Sequence, residues 1–373
     1  MSTGLDPEVF VGASNRNITL AGEVFPYVAS ESEKKIVHDN AAVEFRAQTT
    51  HCLQNLRGTM ASRIRQIKEA IGVGRKILPV PAVRLAMSQA EDPSVREFGC
   101  DPSFVLDENG EPEEVAPDPE PTSRWRCAGY HIHQSASNKT MENYVRSIKI
   151  ADIYLGSLDV MMTTIGGNRS EAKKRRQMGY GQAGEFRRRP FGVEYRTLSP
   201  WPMRSPMLAY FCHSAMRQIF TRMSTSTKKR ILDEVDWKQA RFAIMEHRPA
   251  EAYDVWHQGL VAANNILRGK SSSSNTLTPQ NLRRMDFILR NGGWGLTTWG
   301  MSVYTRWIEG VTPPMDDGRR SPGPGVYGGK QERYFPSGSK HLVAQPGTKD
   351  AYEAFREGWP HDPMGVVSNL GWS

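Results

Sequence analysis

The chain has 373 residues, enough for one large domain or two ordinary ones. Its formal net charge of +8 favours anionic partners, either phosphorylated ligands or nucleic acid, and carries no information about the fold. No apolar run approaches the roughly 20 residues of a membrane-spanning helix, and the first residues lack the basic region and apolar core of a secretory signal. The four cysteines form no Cys-x-x-Cys pair, which argues against a zinc ribbon, and their scatter predicts buried free thiols in a reducing cytoplasm.

The N-terminal part of the chain predicts strands followed by a helix. Alternating apolar and polar residues indicate strands at Gly4–Val11, Ile18–Val24 and Asp39–Arg46. Apolar residues then recur every three or four positions between residues 50 and 72, which is typical of an amphipathic helix ended by glycine. Residues 80–87 are interpreted as a further strand or a short helix.

The middle of the chain resumes the strand pattern. Gly99–Leu106 echoes the first strand, although Ser103 stands where Glu8 stood, and it leads into an acidic, proline-rich loop at 111–122. Ala128–Ser135 alternates again and places two histidines and a serine on one face.

A helix and a basic segment follow this strand. Asn138 or Thr140 can cap a helix that runs to about Leu158. Gly166–Asn168 and the basic run Lys173–Arg176 are interpreted as a loop with solvated charges.

The clearest strand is Phe191–Leu198. It places Glu194 and Arg196 on one face and apolar or small residues on the other. This pair is either a solvated ion pair or one wall of a site for metal ions and phosphate. The run Arg187–Arg189 just before it is interpreted as solvated loop charges, although its first residue lies inside a motif described below.

The remainder of the chain predicts helices and then irregular structure. The predicted helices are 205–221, 229–246, 251–267 and 278–291. We therefore expect a catalytic domain at 1–215, a helical extension at 216–292 and an irregular tail, rich in glycine, proline and aromatic residues, at 293–373.

Polar side chains recur at two-residue spacing on four of the predicted strands. The pairs are Asp6/Glu8, Glu44/Arg46, His131/His133 and Glu194/Arg196. Because the opposite faces are mostly apolar, the pattern predicts an α+β fold whose antiparallel, trough-like sheet is backed by helices and has one polar face. Carboxylates in such a trough suit Mg²⁺, and Arg46, Arg187 and Arg196 would offset phosphate charge.

Metal-assisted phosphoryl transfer fits this set of residue types. The phosphate-binding pattern Gly-x-x-x-x-Gly-Lys-Ser/Thr and the zinc pattern His-Glu-x-x-His are both absent. Simpler interpretations stay open at each pair: hydrogen-bonded buried histidines at His131/His133, a structural ion pair at Glu44/Arg46, and a turn at Asp6-Pro7.

Five short motifs occur in one order along the first 200 residues. They are Gly4–Glu8, Phe98–Pro102, Ala128–His133, Ala183–Arg187 and Gly192–Ser199. Together they resemble the sheet motifs of the glutamine synthetase and glutamate–cysteine ligase superfamily, and they are most similar to its phage-type branch of amidoligases, the COOH-NH2 ligases of type 2. Ser103 departs from the acidic pattern, and no motif is matched after residue 205.

The resemblance implies an ATP-dependent ligase that joins a carboxylate to an amine through an acyl phosphate. By motif, the implied Mg²⁺ ligands are Glu8, Glu44, His131 and Glu194. His133 and Ser135 would lie near the nucleotide, and Arg187 and Arg196 would stabilise the transferring phosphoryl group. Asp6 would be an outer ligand, and the protein would act in the cytoplasm, that of the host cell if it is phage-encoded.

A second hypothesis belongs to a different class. The positive charge, the basic runs and the aromatic tail also suit a nucleic-acid-binding or virion-associated structural protein that keeps the fold without catalysis. The acids in the trough argue against this alternative, since they would repel a phosphate backbone unless a metal were bound.

Overall fold

A large, mostly antiparallel sheet with helices packed on it forms the body of the protein. A computed structural model of the chain describes residues 2–29, 31, 33–50, 52–95, 102–115 and 123–267, together with positions 277, 282, 285, 307 and 308. Within this part of the chain the sheet has eleven strands, and a two-stranded sheet lies beside it. The predicted α+β class with an antiparallel sheet is confirmed.

The strands and helices alternate in blocks along the chain. The strands are β1 (Thr3–Ser14), β2 (Asn17–Thr19), β3 (Ile36–Asp39), β4 (Ala42–Phe45), β5 (Ala47–Thr50), β6 (Lys76–Leu78), β7 (Ala82–Arg84), β8 (Ser103–Leu106), β9 (Pro112–Val115), β10 (Trp125–Cys127), β11 (Tyr130–Ser135), β12 (Phe186–Arg189) and β13 (Gly192–Tyr195). The helices are α1 (Ala21–Val24), α2 (Leu53–Ile71), α3 (Met87–Ala90), α4 (Met141–Ala151), α5 (Ser157–Ile165), α6 (Arg169–Gln177), α7 (Pro206–Thr221), α8 (Thr225–Glu234), α9 (Trp237–Met245) and α10 (Pro249–Leu267).

The long strand β1 organises the sheet. The strand order is β3-β4-β1-β11-β13-β12-β8-β9, and β2, β5 and β6 also pair with β1. The strands predicted to carry polar pairs are therefore neighbours. Their register places Glu8 opposite Glu44, Asp6 opposite His131 and, one strand further, His133 opposite Glu194.

The apolar face of the sheet packs against helices. Leu5, Val9, Ile132 and Val193 are fully buried in one large core with residues of α4, α5, α7 and α10. A polar face and an apolar face on the same strands result from the two-residue period of β-structure. A smaller core around Phe10, two residues after Glu8 on β1, contains residues of β7.

A buried carboxylate ties the helical layer to the sheet. Thr140 caps α4, as expected, and accepts a hydrogen bond from the backbone N–H of the third helical residue. A π-helical turn at Asp152–Gly156 joins α4 to α5. In it, Asp152 accepts hydrogen bonds from Tyr195 and Trp237 at 2.8 and 2.9 Å. Burial raises the pKa of Asp152 to about 7.

Several predicted boundaries were wrong for local reasons. The predicted strand Ile18–Val24 is split between β2 and α1. The predicted strand Asp39–Arg46 is interrupted by a turn at Asn40, whose φ is +55°. The predicted helix at 229–246 is two helices, because Asp236 caps α9 and ends the continuity with α8.

The predicted division into three regions stays a prediction. The boundary at residue 215 falls inside α7, and α10 packs against α5 of the preceding region. Apart from isolated positions, the predicted helix at 278–291 and the tail at 293–373 lie outside the described residues.

The cysteines only partly follow the expectation of buried thiols. Cys212 is buried and Cys127 is half-buried, whereas Cys52 is exposed, and Cys100 lies outside the described residues. No helix in the described part of the chain has the length and apolarity needed to cross a bilayer.

Candidate active site

The polar face of the sheet contains a pair of buried acids on neighbouring strands. Glu8 on β1 lies directly opposite Glu44 on β4. Burial and the nearby Asp39 raise the pKa of Glu8 to about 7. Burial, reinforced by Asp6 and by the other acids, raises the pKa of Glu44 to about 8. Since like charges opposite each other on a sheet repel, ionising both acids would favour a cation beside them.

His131 lies between the acids of β1 and β13. Its Nδ1 atom is 3.7 Å from Glu8 Oε1 and 3.6 Å from Glu194 Oε1. Its Nε2 atom is 2.8 Å from the hydroxyl of Tyr180, which also donates to Glu8. Burial and the cation of Arg196 lower the pKa of His131 well below its usual value, so the ring is neutral near pH 7.

Glu194, in contrast, is surrounded by positive charge. Its carboxylate lies 3.4 Å from Arg187 Nη1, 2.7 Å from Arg189 Nη2 and 2.5 Å from Arg196 Nη1. Burial opposes ionisation, but Arg196 and the other cations outweigh burial and hold the pKa of Glu194 well below its usual value. The trough therefore has an acidic end at Glu8 and Glu44 and a basic end around Glu194.

The predicted nucleotide-binding residues lie towards the end of β11. His133 Nε2 is 2.8 Å from Asp6 Oδ2. Burial disfavours a charged ring, but Asp6 outweighs burial and raises the pKa of His133. The Ser135 hydroxyl accepts from the Ser2 N–H at 2.7 Å and lies 3.1 Å from the Ser2 carbonyl. Phe191, which is 45% exposed, places its ring 5.9 Å from that of His133.

The basic residues are less solvated than their sequence context indicated. Lys173–Arg176 belongs to α6 rather than a loop, and its arginines are buried. Arg187–Arg189 forms β12, and its first and third residues contact Glu194. Arg46, expected to offset phosphate charge, instead donates to the carbonyls of residues 29 and 31 and to Glu44.

Arg175 fixes residues 196–198, which follow directly after β13. Its guanidinium donates to the carbonyls of Arg196, Thr197 and Leu198 at 3.2, 2.9 and 2.9 Å. Gly181 has a φ of +69°, and a Cβ atom there would lie 1.6 Å from Arg175 Nη1. Only glycine satisfies both conditions, so the loop before β12 is fitted around this guanidinium.

Glu185 orients Arg196 from the other side. Its carboxylate accepts from the backbone N–H groups of Gly181 and Gln182 at 2.5 and 3.0 Å, and from Arg196 Nε at 3.1 Å. Arg196 therefore bridges two acids, Glu185 and Glu194. This fixed geometry is what a guanidinium needs to present donors to an anion.

Sequence reasoning missed four participants in this site. They are Asp39, Tyr180, Glu185 and Arg189. Arg189 follows Arg187 at two-residue spacing, so the strand period could have placed both on one face. The glycines on either side of Tyr180 mark a tight turn, but nothing local shows what the tyrosine contacts.

The donor chemistry suits Mg²⁺, although the side chains are engaged elsewhere. As they stand, the described residues contain no group of three or more His, Cys, Asp or Glu side chains arranged to hold a metal ion. Glu194 is occupied by arginines, and Glu8 is hydrogen-bonded to Tyr180. Nevertheless, buried acids with raised pKa values beside the neutral His131 are the setting that a divalent cation would stabilise. Glu8 and Glu44 fit a metal role best, and that of His131 and Glu194 also stays a prediction.

The middle of the chain matches a known protein family. Residues 116–247 match the family of phage phiEco32-like COOH-NH2 ligases of type 2. This match confirms the resemblance drawn from the motifs. The matched segment includes β11, β12 and β13, with His131, Glu194 and the arginines around it, whereas β1 and β4 precede it.

The other comparisons add no functional information. No curated protein matches the chain. Among solved structures, the chain is similar to a bifunctional glutathione synthetase from Pasteurella multocida, with 12% sequence identity and a TM-score of 0.33. The similarity covers 82% of this chain and 54% of the synthetase, so the chain spans about half the length of that protein.

Proposed function

We propose that the chain is an ATP-dependent carboxylate–amine ligase. The observation that carries this proposal is the division of one sheet face into an acidic end, at Glu8 and Glu44, and a basic end, at Arg187, Arg189 and Arg196. A site that moves a phosphoryl group needs both, because a metal offsets charge on the nucleotide while guanidinium groups hold the group in transfer. The family match of residues 116–247 supports the same chemistry.

The proposed reaction has two steps. The γ-phosphoryl group of ATP passes to an oxygen of the substrate carboxylate, which gives ADP and an acyl phosphate. The amine then attacks the acyl carbon, the C–O bond to phosphate breaks, and the amine loses a proton as the amide forms. The carboxylate substrate would be a small molecule or a peptide and the other substrate an amine, and the protein would act in the cytoplasm, that of the host cell if it is phage-encoded.

The chain's own residues have distinct parts in this reaction. Glu8, Glu44, His131 and Glu194 would hold Mg²⁺, which when bound neutralises phosphate oxygens. Arg196 is oriented by Glu185 and presents its guanidinium beside Glu194. When an anionic phosphoryl group enters, the arginines can exchange donors from Glu194 to that group, which releases the Glu194 carboxylate towards a cation. His133 and Ser135, at the end of β11, would lie near the nucleotide.

The fold assignment belongs to the same proposal. We assign the trough to the catalytic fold of the glutamine synthetase and glutamate–cysteine ligase superfamily, with a catalytic region at 1–215, a helical extension at 216–292 and a tail at 293–373. The support is the adjacency of β4, β1, β11 and β13 and their shared polar face. The nucleic-acid alternative loses part of its support, because the arginines of the basic run in α6 are buried.

Calorimetric titration of ATP into the full chain, with and without Mg²⁺, tests the proposal. Glu8→Gln removes one acid while keeping the size of the side chain, and we expect it to weaken magnesium-dependent ATP binding at least tenfold. Glu142→Gln, at a side chain that is 69% exposed on α4, is the matched control and should bind as the wild type does. Unchanged binding in Glu8→Gln would contradict the assignment. Tight, salt-sensitive DNA binding without nucleotide affinity would favour the alternative.

A phosphate-release screen then identifies the substrates. Amino acids and peptide carboxylates are paired with amine acceptors, and phosphate is measured in the presence of ATP and Mg²⁺. A productive pair should release phosphate only when both substrates are present, or should release it faster than the carboxylate alone does.

A further inference from the structure

Tyr180 links two side chains that arrive from different strands. Its hydroxyl oxygen is 2.8 and 2.9 Å from the two carboxylate oxygens of Glu8 and 2.8 Å from His131 Nε2. The tyrosine comes from the turn after α6, a part of the chain far in sequence from both partners. It therefore joins β1 and β11 at the point where the acid and the imidazole meet.

The count of protons determines how these groups share hydrogen bonds. A phenol has one proton to donate, and an ionised carboxylate can only accept. When Glu8 is ionised, as it must be to bind a cation, the Tyr180 proton goes to Glu8 and the phenol oxygen accepts the remaining hydrogen bond from His131. This arrangement requires the His131 proton on Nε2, which leaves the lone pair on Nδ1.

The lone pair on Nδ1 is directed between Glu8, at the acidic end of the trough, and Glu194, at the basic end. Nδ1 lies 3.7 Å from Glu8 Oε1 and 3.6 Å from Glu194 Oε1. Nδ1 and these two carboxylates are the groups that would hold a divalent cation here.

The tyrosine ring is itself held between cations. The guanidinium carbon of Arg175 lies 4.7 Å from the ring centroid, and that of Arg196 lies 5.3 Å from it. Both distances are within the range of cation–π attraction. Arg175 is in turn fixed by the carbonyls of residues 196–198. The Tyr180 hydroxyl is therefore positioned by the same arginine that fixes residues 196–198 after β13.

We propose that Tyr180 is the positioning residue that sets the tautomer of His131 and the orientation of Glu8 for cation binding. This inference rests on the proposed function, because it presumes that Glu8 and His131 bind a metal. In metal sites, a partner that accepts the second ring N–H of a ligating histidine fixes the tautomer, and its loss costs about 10–100-fold in metal affinity or activity.

Tyr180→Phe isolates the hydroxyl, since phenylalanine keeps a ring between the arginines. We expect the dissociation constant for Mn²⁺, measured by electron paramagnetic resonance on the full chain, to rise about 10–100-fold. Tyr154→Phe is the matched control, because Tyr154 also donates a buried hydrogen bond, at 2.7 Å to the carbonyl of Gly259. That variant loses a similar hydrogen bond in the helical layer and should keep wild-type Mn²⁺ affinity.

Nitrogen-15 spectra of the histidine rings, recorded without metal at a pH well above the Glu8 pKa of about 7, give a second readout. The wild type should show His131 with a proton on Nε2 and a bare Nδ1, and Tyr180→Phe should show a mixture of tautomers. The His131 signal is assigned by its loss in His131→Gln. If Tyr180→Phe does not fold, the wild-type spectrum still decides, since a proton on Nδ1 would overturn the inference.

The outcomes separate this inference from the proposed function. If the wild type binds Mn²⁺ and Tyr180→Phe binds it equally well, the positioning role is wrong and the ligase proposal stands. If the wild type binds neither Mn²⁺ nor ATP, both are wrong.

Discussion

Glu44→Gln should stabilise the metal-free protein at alkaline pH. Glu44 is buried opposite Glu8, and its pKa rises to about 8 because of burial and the neighbouring acids Asp6, Asp39 and Glu8. Arg46 approaches it at 3.3 Å but does not compensate.

The sign and size of the effect follow from proton linkage. In the unfolded chain Glu44 titrates near 4.5, whereas in the folded protein it titrates near 8. Between these values the folded state holds the proton more tightly, so the free energy of unfolding falls as the pH rises from about 5 to 8. At about 1.4 kcal/mol per pH unit, the loss is about 3–5 kcal/mol once Glu44 is ionised. Glu8, with a pKa near 7, adds to the same trend.

Urea unfolding at pH 5 and pH 8, with and without Mg²⁺, measures this effect. We expect wild type without metal to be less stable at pH 8 than at pH 5, and Glu44→Gln to be more stable than wild type at pH 8. Mg²⁺ should stabilise the wild type at pH 8 and have little effect on the variant. Glu142→Gln controls for loss of one surface charge. The reasoning would be refuted if Glu44→Gln were less stable than wild type at pH 8, or if Mg²⁺ stabilised both equally.

Three substitutions test the framework around the site. Asp159→Asn weakens a buried ion pair with Arg176, whose atoms approach to 2.6 Å, and should lower the free energy of unfolding by about 3–5 kcal/mol in urea titration; a loss below 1 kcal/mol would contradict the pairing. Gly181→Ala must strain a backbone with positive φ and displace Arg175, so we expect a loss of at least about 2 kcal/mol together with weaker ATP binding. Thr140→Ala removes the cap of α4 and should cost about 1 kcal/mol, measured by thermal unfolding, without changing ATP affinity.

The sequence could predict which side chains of β1, β11 and β13 face the trough, because successive residues of a strand point to opposite faces. Glu8, His131 and Glu194 alternate with apolar residues that pack into the core, and the sheet brings the three side chains together. The polar pattern of each strand was therefore a sound guide to its neighbours in the trough, even though the order of the strands was not predicted.

The contacts that complete the site could not be predicted, since they depend on segments far apart in sequence. Tyr180 reaches Glu8 across 172 positions, and nothing in the local sequence marks that contact. A buried arginine needs hydrogen-bond acceptors, and the local sequence around Arg175 shows none, so this residue was interpreted as solvated. Its acceptors are backbone carbonyls that belong to another segment. Arg46 was expected to offset phosphate charge, but it donates to carbonyls in an irregular loop. The local sequence does not show this contact either.

Because β1 is central in the sheet, its partner strands on the two sides are synthesised at different times. Thr3 and Gln134, which hydrogen-bond across β1 and β11, are 131 positions apart. At a synthesis rate of about 5–20 residues per second, roughly 7–26 s separate the emergence of these partners from the ribosome. During that interval β1 can pair with β2, β4, β5 and β6, so Glu8 and Glu44 can come together before His131, Arg187 and Arg196 have been synthesised. In this order of synthesis the acidic end of the site precedes the basic end, and β11 to β13 then extend the sheet and supply the arginines that balance the acids.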